Sequence, residues 1–496
     1  MSTHEQAVQG GHAHAGPSGA SKWVLTGAWA GAWKIFAGVG AVGLLGSIAG
    51  MVTDPRRFAF SWMFAYVTCL AIALGAIFFV LVQRLTSAGW SVTVRRTAEF
   101  FGYGVLALIP LFIPVLFSMG HLFPWIAAHD EGAGDAGEHA SVAVVSRAYA
   151  QDHAAPAAGA AKEEHAAAGE HGATGATVTH GATGAPGATA AAVEHAGHAA
   201  GSAASHAEHE SHALGHKAVM AKKSVYLNKS FFYARAVLYF VIWALLGVRL
   251  FAYSAKQDVT RDPELTLRAQ GFAPPATFLF ALSLTFAAFD WIMSLEPSWF
   301  STIFGVYFFA AGVVASYAVI ILVTMALRTA GPLKGAVTAE HYHDLGKLLF
   351  GFIVFWAYIG FSQMMLIWYA ALPEETTWYH NRWDHGPWAK VTVAIIVGHF
   401  VIPFFWLVSR NFKRDLRRLQ IGAAIVLVMH VVDMYWFVMP NFAIGSDQFA
   451  FSWIDAACLL AVGGVYGAFV FFRMTKHSLV PVGDPRLERS LHFQNA

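Results

Sequence analysis

Ten apolar runs, each long enough to cross a bilayer, set what this chain can fold into: 31–53, 60–83, 98–126, 230–253, 274–295, 300–327, 345–371, 388–409, 419–440 and 450–473. A helix needs about 20 consecutive apolar residues to cross the hydrocarbon. Inside it, backbone groups must pair within the protein, which leaves only helices and closed barrels. The runs are continuous, not alternating, and this argues against a barrel. With 56% apolar and 12% charged residues over 496, the chain is predicted to be an all-α integral membrane protein of about ten transmembrane helices. No signal peptide is expected, because the start, MSTHEQAVQGGHAHAGPSG, has neither a basic n-region nor an apolar core.

Lys and Arg in the short loops orient the spans. Arg410, Lys413, Arg414, Arg417 and Arg418 crowd one loop, on the same side as Arg84, Arg95, Arg96, Arg328, Lys334, Lys476, Arg486 and Arg489. That side is read as cytoplasmic, with both termini on it. The opposite, periplasmic side carries EPSWF, LPEETTWYHNRWDHG and PNFAIGSDQF, and Arg56 and Arg57 there run against the rule. The expected divisions are a cytoplasmic tail at 1–30, three helices in 31–128, an insert at 129–221, seven helices in 222–476 and a second cytoplasmic tail at 477–496.

The insert is Ala, Gly, His and Glu, repeats HGATGA at 171–176 and 180–185, and holds half of the 24 histidines. It cannot bury a core and reads as a disordered periplasmic segment. Imidazole density suggests metal capture. Irregular spacing and the lack of Cys favour a solvated spacer instead.

Cys69 and Cys458 both fall within spans. There is no C-x-x-C-H for covalent haem, no four-Cys set for an iron–sulfur cluster and no phosphate-binding loop. Electron transfer involving this chain must end in another subunit.

The ionisable groups within the spans gather toward the periplasmic half. Asp290 and Asp433 lie about two turns inside their helix ends and Asp455 about one. Glu374 and Glu375 close the seventh span, and His121 nears the outer end of the third. His430 and Asp433, three apart, share a helix face. His399 reaches a similar depth from the opposite direction, so a chain Asp433, His430, His399 is placed to hand protons inward. Any one of these residues alone is as readily a buried group satisfied by an Arg, a Tyr or a carbonyl. Several together carry a summed insertion cost that asks for a function. In FDWIMSLEPSWF, 289–300, Asp290 is the membrane acid, whereas Glu296, preceding Pro297, is expected at the interface. Tyr and Trp in WYAALPEETTWYHNRW fit an interfacial belt.

SLTFAAFDWIMSLEPSWFSTIFGVYFFAAG (283–312) and FSQMMLIWYAALPEETTWY (361–379) resemble the ActF subunit of bacterial alternative complex III, a quinol:cytochrome c oxidoreductase; 64–96 and 226–243 are similar to the same family. The resemblance spans nearly all the helices and excludes the insert. It implies an NrfD or polysulfide reductase C-like fold, with two four-helix bundles within ten helices, in a bacterial inner membrane. It also implies partners: an ActC-like homologue, the iron–sulfur protein ActB, haem-c subunits ActA and ActE, small membrane subunits and a terminal oxidase, with menaquinol or ubiquinol as reductant. Haem c and iron–sulfur clusters then sit in the partners, the chain itself lies among lipids, and no nucleic acid is involved. ActF-like chains are associated with proton passage.

Quinol oxidation releases protons with its electrons, and Asp290, His399, His430, Asp433, Glu374, Glu375, Asp455 and His121 are the relay residues expected, with Arg382 a charge partner at the outer mouth. On the cytoplasmic half only Glu99, Arg249, Asp344 and Lys347 are available. Two rival readings use the same residues. One is a zinc transporter built on HVVD at 430–433, and the other is a haem-b carrier with His399 and His430 as axial ligands.

Overall fold

The computed structural model describes residues 23–126, 222–383, 386–443 and 451–495. The insert expected at 129–221 and residues 1–22 lie outside the described residues. Two units are distinguished. The larger holds 1–126, 229–443 and 447–496, and the smaller holds 127–228 and 444–446. Of the smaller, 222–228 are described, and there the Asn228 amide donates to the carbonyls of Ser224 and Val225.

Among the described residues there are no strands, and ten helices are long and apolar enough to span a membrane. They are α1 (Trp29–Thr53), α2 (Pro55–Leu85), α3 (Val92–Phe117), α4 (Lys229–Thr260), α5 (Glu264–Leu295), α6 (Phe304–Thr329), α7 (Ala339–Ala370), α8 (Gly386–Val408), α9 (Leu416–Asn441) and α10 (Trp453–Met474). Each expected apolar run corresponds to one of them. Boundaries differ where charge extends a helix past the hydrocarbon. Helix α7 begins at a capping box in which Thr338 and His341 satisfy each other's backbone. α5 starts ten residues ahead of its expected edge, after Asp262 accepts from the Glu264 N–H. It runs on through Pro274 and Pro275, as membrane helices tolerate. α3 is hitched at Gly104 and Phe112, near Pro110 and Pro114, and a separate short turn, Met119–Leu122, follows it.

Helices α2 and α6 form the core: 83% and 78% of their most apolar stretches are buried, against 22% for α1 and 28% for α7 and α8. Membrane helices gain little from hiding apolar surface from lipid, so close packing over small residues holds them together. Where α2 crosses α6, a Cβ on Gly75 would lie 2.2 Å from the Gly312 carbonyl oxygen. The α1/α10 seam is built the same way from Gly40, Gly43, Ser47 and Gly50 against Gly464, Ala461, Cys458 and Ile454.

The turns α1–α2, α5–α6, α7–α8 and α9–α10 fall on one side of the bundle, called the first face; α2–α3, α4–α5, α6–α7 and α8–α9 lie on the second. On the second face the chain after α10, the tail expected at 477–496, is packed against the helices. Leu479, Val480, Val482 and Leu487 are buried. The Leu479 N–H donates to Trp23 O at 2.8 Å, Arg261 donates to Val482 O at 2.7 Å, and the Ser490 hydroxyl donates to Trp90 O at 2.6 Å. Asp484 accepts from Arg95 at 2.7 Å and joins a buried cluster with Arg84, Arg95, Arg96 and Glu99. The segment's one buried acid, Asp484, is the counter-ion of Arg84 on α2 and Arg95 on α3.

This docking predicts acid sensitivity. Burial alone would raise the Asp484 pKa, but the charges of Arg95 and Arg486 hold it below the usual carboxylate range. Burial, with Arg473 and Arg96 nearby, pushes His477 down to about 4. Both groups bind protons more readily once detached, so acidification favours release. The His477 contribution is present above its ordinary 6.5 and is lost as pH falls from there to about 4; that of Asp484 is lost below the ordinary carboxylate range. Proteolysis of the C-terminal segment should accelerate over the upper window in the native chain. It should do so less in His477→Phe, which keeps the ring against Phe251 (centroids 5.0 Å apart).

Candidate functional site

His399, on α8, is fully buried within a π-helical turn, Ile396–Val401. Pro403 explains the turn. It has no N–H for the His399 carbonyl, and the freed ladder relaxes into a wider loop, a device frequent at functional sites. Both His399 ring nitrogens lack a hydrogen-bond partner among the described residues. Its Nδ1 stands 3.8 Å from Oδ2 of Asp433, itself fully buried on α9. The other carboxylate oxygen of Asp433 is also without a partner.

Trp356, from the middle of α7, completes the arrangement. Its Nε1–H donates to Asp433 Oδ2 at 3.1 Å, and its ring lies on the His399 imidazole with centroids 4.3 Å apart. Sequence reasoning missed it by assigning Trp to interfacial belts. The available signal was its position in FIVFWAYIG, far from either end of the run. His430 is buried one turn from Asp433, with Nε2 3.3 Å from Thr68 O and Nδ1 without a partner. The structure therefore changes the expected order: His399 meets Asp433 directly, and His430 turns toward α2.

The other acids at the first face are held differently. Asp290 accepts two bonds from Arg235, Nε at 2.7 Å and Nη2 at 2.9 Å, and a third from the Tyr239 hydroxyl at 2.7 Å. Asp455 accepts from Arg57 Nη2 at 2.6 Å and Nε at 3.2 Å, from Ser61, from Tyr435 at 3.1 Å and from the Ser452 N–H at 2.9 Å. Arg57, which ran against the charge rule, is thus neutralised by a buried carboxylate.

Glu296, expected at the interface, is 5% exposed and buried against protein just after the 3₁₀ turn Met293–Leu295. Its Oε2 lies 3.8 Å from Nη1 of the fully buried Arg382, and Thr377 approaches Oε1 at 3.5 Å. Arg382 also donates to Trp378 O, Trp436 O and Phe437 O and covers the Trp378 ring at 3.8 Å.

The remaining expected residues stand apart. His121 is exposed on the short turn after α3. Glu375 is half-buried and offers its carbonyl to Trp299 Nε1, while the side chain of Glu374 lies outside the described residues. On the second face Glu99 belongs to the arginine cluster, Asp344 pairs with Lys347 at 2.5 Å, and Arg249 is exposed above Tyr253 and Phe272. Among the described residues, no three His, Cys, Asp or Glu side chains stand together as a metal-ligand set. No family model matches this chain, and no curated protein matches it either.

Proposed function

We propose that this chain is a proton-conducting membrane subunit of a quinol-oxidising respiratory complex, of the ActF type that its sequence resembles. The observation that carries the proposal is the fully buried His399, Asp433 and His430 group, with unpaired polar atoms on all three residues at a π-helical turn. An unsatisfied buried polar atom costs about 1–3 kcal/mol, and three such residues at one depth are costly for a merely structural element. A carboxylate beside a neutral imidazole can take up a proton and pass it on by small rotations. In this reading the first face is periplasmic, the ten helices form an NrfD-like pair of four-helix bundles, and redox chemistry resides in haem-c and iron–sulfur partners. The complex supports electron transfer from quinol to cytochrome c or an equivalent acceptor. Zinc transport fits less well, since the ligands gathered around Asp433 stop short of a metal set.

Affinity purification of the tagged chain from native membranes should bring down haem-c and iron–sulfur subunits. In sealed vesicles, Asp433→Asn should leave that complex assembled and slow proton release by about a hundredfold or more, the lower end for a displaced proton-transfer group. Recovery of the chain alone, or wild-type release from Asp433→Asn, would overturn the reading.

A further inference from the structure

Proton passage through Asp433 needs a way out to the first face, and neither Asp290 nor Asp455 supplies it. Each carboxylate is occupied by a bidentate guanidinium and a tyrosine hydroxyl. Two carboxylate oxygens offer about four acceptor positions, and most are taken.

A different set of polar side chains lies between Asp433 and Arg382. Tyr307, on α6, has its ring 5.9 Å from that of Trp356 and 5.0 Å from that of Phe437. It stands within electrostatic reach of Asp433 on one side and of Tyr379 and Arg382 on the other. Its hydroxyl presses on α7 at Gly360, where a Cβ would lie 3.2 Å from the oxygen. Gln363 follows three residues later on the same helix, about one turn nearer the first face. It is 1% exposed, and neither atom of its amide closes a hydrogen bond of normal geometry. The Tyr379 hydroxyl lies beside it. Tyr379 leads to Arg382, one turn further on, and to the Glu296 carboxylate that Arg382 faces.

From this we infer that Tyr307, Gln363 and Tyr379 form the outward limb of the relay, with Glu296 as its terminal acid. The inference rests on the reading of His399 and Asp433 as the relay and assigns its exit. A hydroxyl accepts a proton on a lone pair and gives up the one it carries, so charge moves while no atom is gained or lost. The Gln363 amide, buried beside the Tyr379 hydroxyl, orients the two phenols or a water between them. Arg382, 3.8 Å from the Glu296 carboxylate, positions it at the end of the limb.

The test uses the complex in sealed vesicles, driven by quinol with cytochrome c as acceptor. The rate of proton release and the solvent deuterium isotope effect are measured for Tyr307→Phe, Gln363→Leu, Gln363→Glu and Asp433→Asn, with assembly checked by co-purification. Tyr307→Phe and Gln363→Leu should assemble, slow release by about a hundredfold and raise the isotope effect, while Gln363→Glu should recover most of the release. Loss of release in Asp433→Asn, with wild-type release in Tyr307→Phe and Gln363→Leu, would overturn this exit and leave the relay standing. Wild-type release in Asp433→Asn would remove the relay and its exit together. A fall in Gln363→Leu that Gln363→Glu fails to recover would assign Gln363 to packing alone and also count against the limb.

Discussion

Gly43→Leu is expected to detach α1 from the bundle. A Cβ at position 43 would sit 2.2 Å from the Ala461 backbone nitrogen and 2.6 Å from the Leu460 carbonyl carbon. These are backbone atoms of a neighbouring helix and have no rotamer by which to move aside, so the helices must separate. Overpacking against movable side chains costs about 1–3 kcal/mol, and a backbone clash should reach or exceed the upper end. Separation also removes neighbouring contacts along the seam, where Phe36 stacks on Phe471 at 4.9 Å. Gly38→Leu is the matched comparison. Nothing lies within 4 Å of its Cβ position, and the same added bulk faces outward. Thermal melting in detergent, with protease accessibility of the N-terminal helix, should show a large loss for Gly43→Leu and little change for Gly38→Leu. Equal melting of the two variants would contradict the close-packed seam.

Periodicity and hydropathy made the helices legible because a spanning helix announces itself by length and composition alone. What stayed hidden was the pairing of charges. Arg84, Arg95 and Arg96 were read as loop residues on the strength of the charge-orientation rule, yet each is at most 1% exposed and held by Glu99, Asp258 or Asp484. Glu99 is a local partner on α3, but Asp258 comes from α4 and Asp484 from beyond α10, separations that no local pattern reports. The site was partly legible for the same reason. His430 and Asp433 could be placed on one face because they share a helix. The approach of His399 and Trp356 depended on the tertiary packing of α7, α8 and α9 and on the π-helical turn, for which Pro403 was a cue. Glu296 was placed from Pro297 alone, but the α-helix already ends at Trp291, and the 3₁₀ turn Met293–Leu295 leads into a Glu296 covered by protein.

On the proposed exit, the two acids in FDWIMSLEPSWF exchange the roles expected of them. Asp290→Asn is expected to damage assembly more than proton release. The substitution removes the counter-charge of Arg235, whose guanidinium is held on α4 above the Phe231 ring at 4.3 Å. Breaking one side of a buried ion pair costs about 3–5 kcal/mol, whereas replacing both sides with apolar residues of similar volume is often neutral. The double variant Arg235→Met with Asp290→Leu should therefore recover much of the complex yield lost in Asp290→Asn, although it lacks both charges of the pair. A proton-carrying Asp290 predicts the opposite: Asp290→Asn would assemble normally with impaired release, and the double variant would release no better. Yield by co-purification and protons released per electron, measured on both variants, decide between these outcomes. Under the ion-pair reading, whatever fraction of either variant assembles should release protons at the native ratio, because the path from Asp433 does not pass through Asp290.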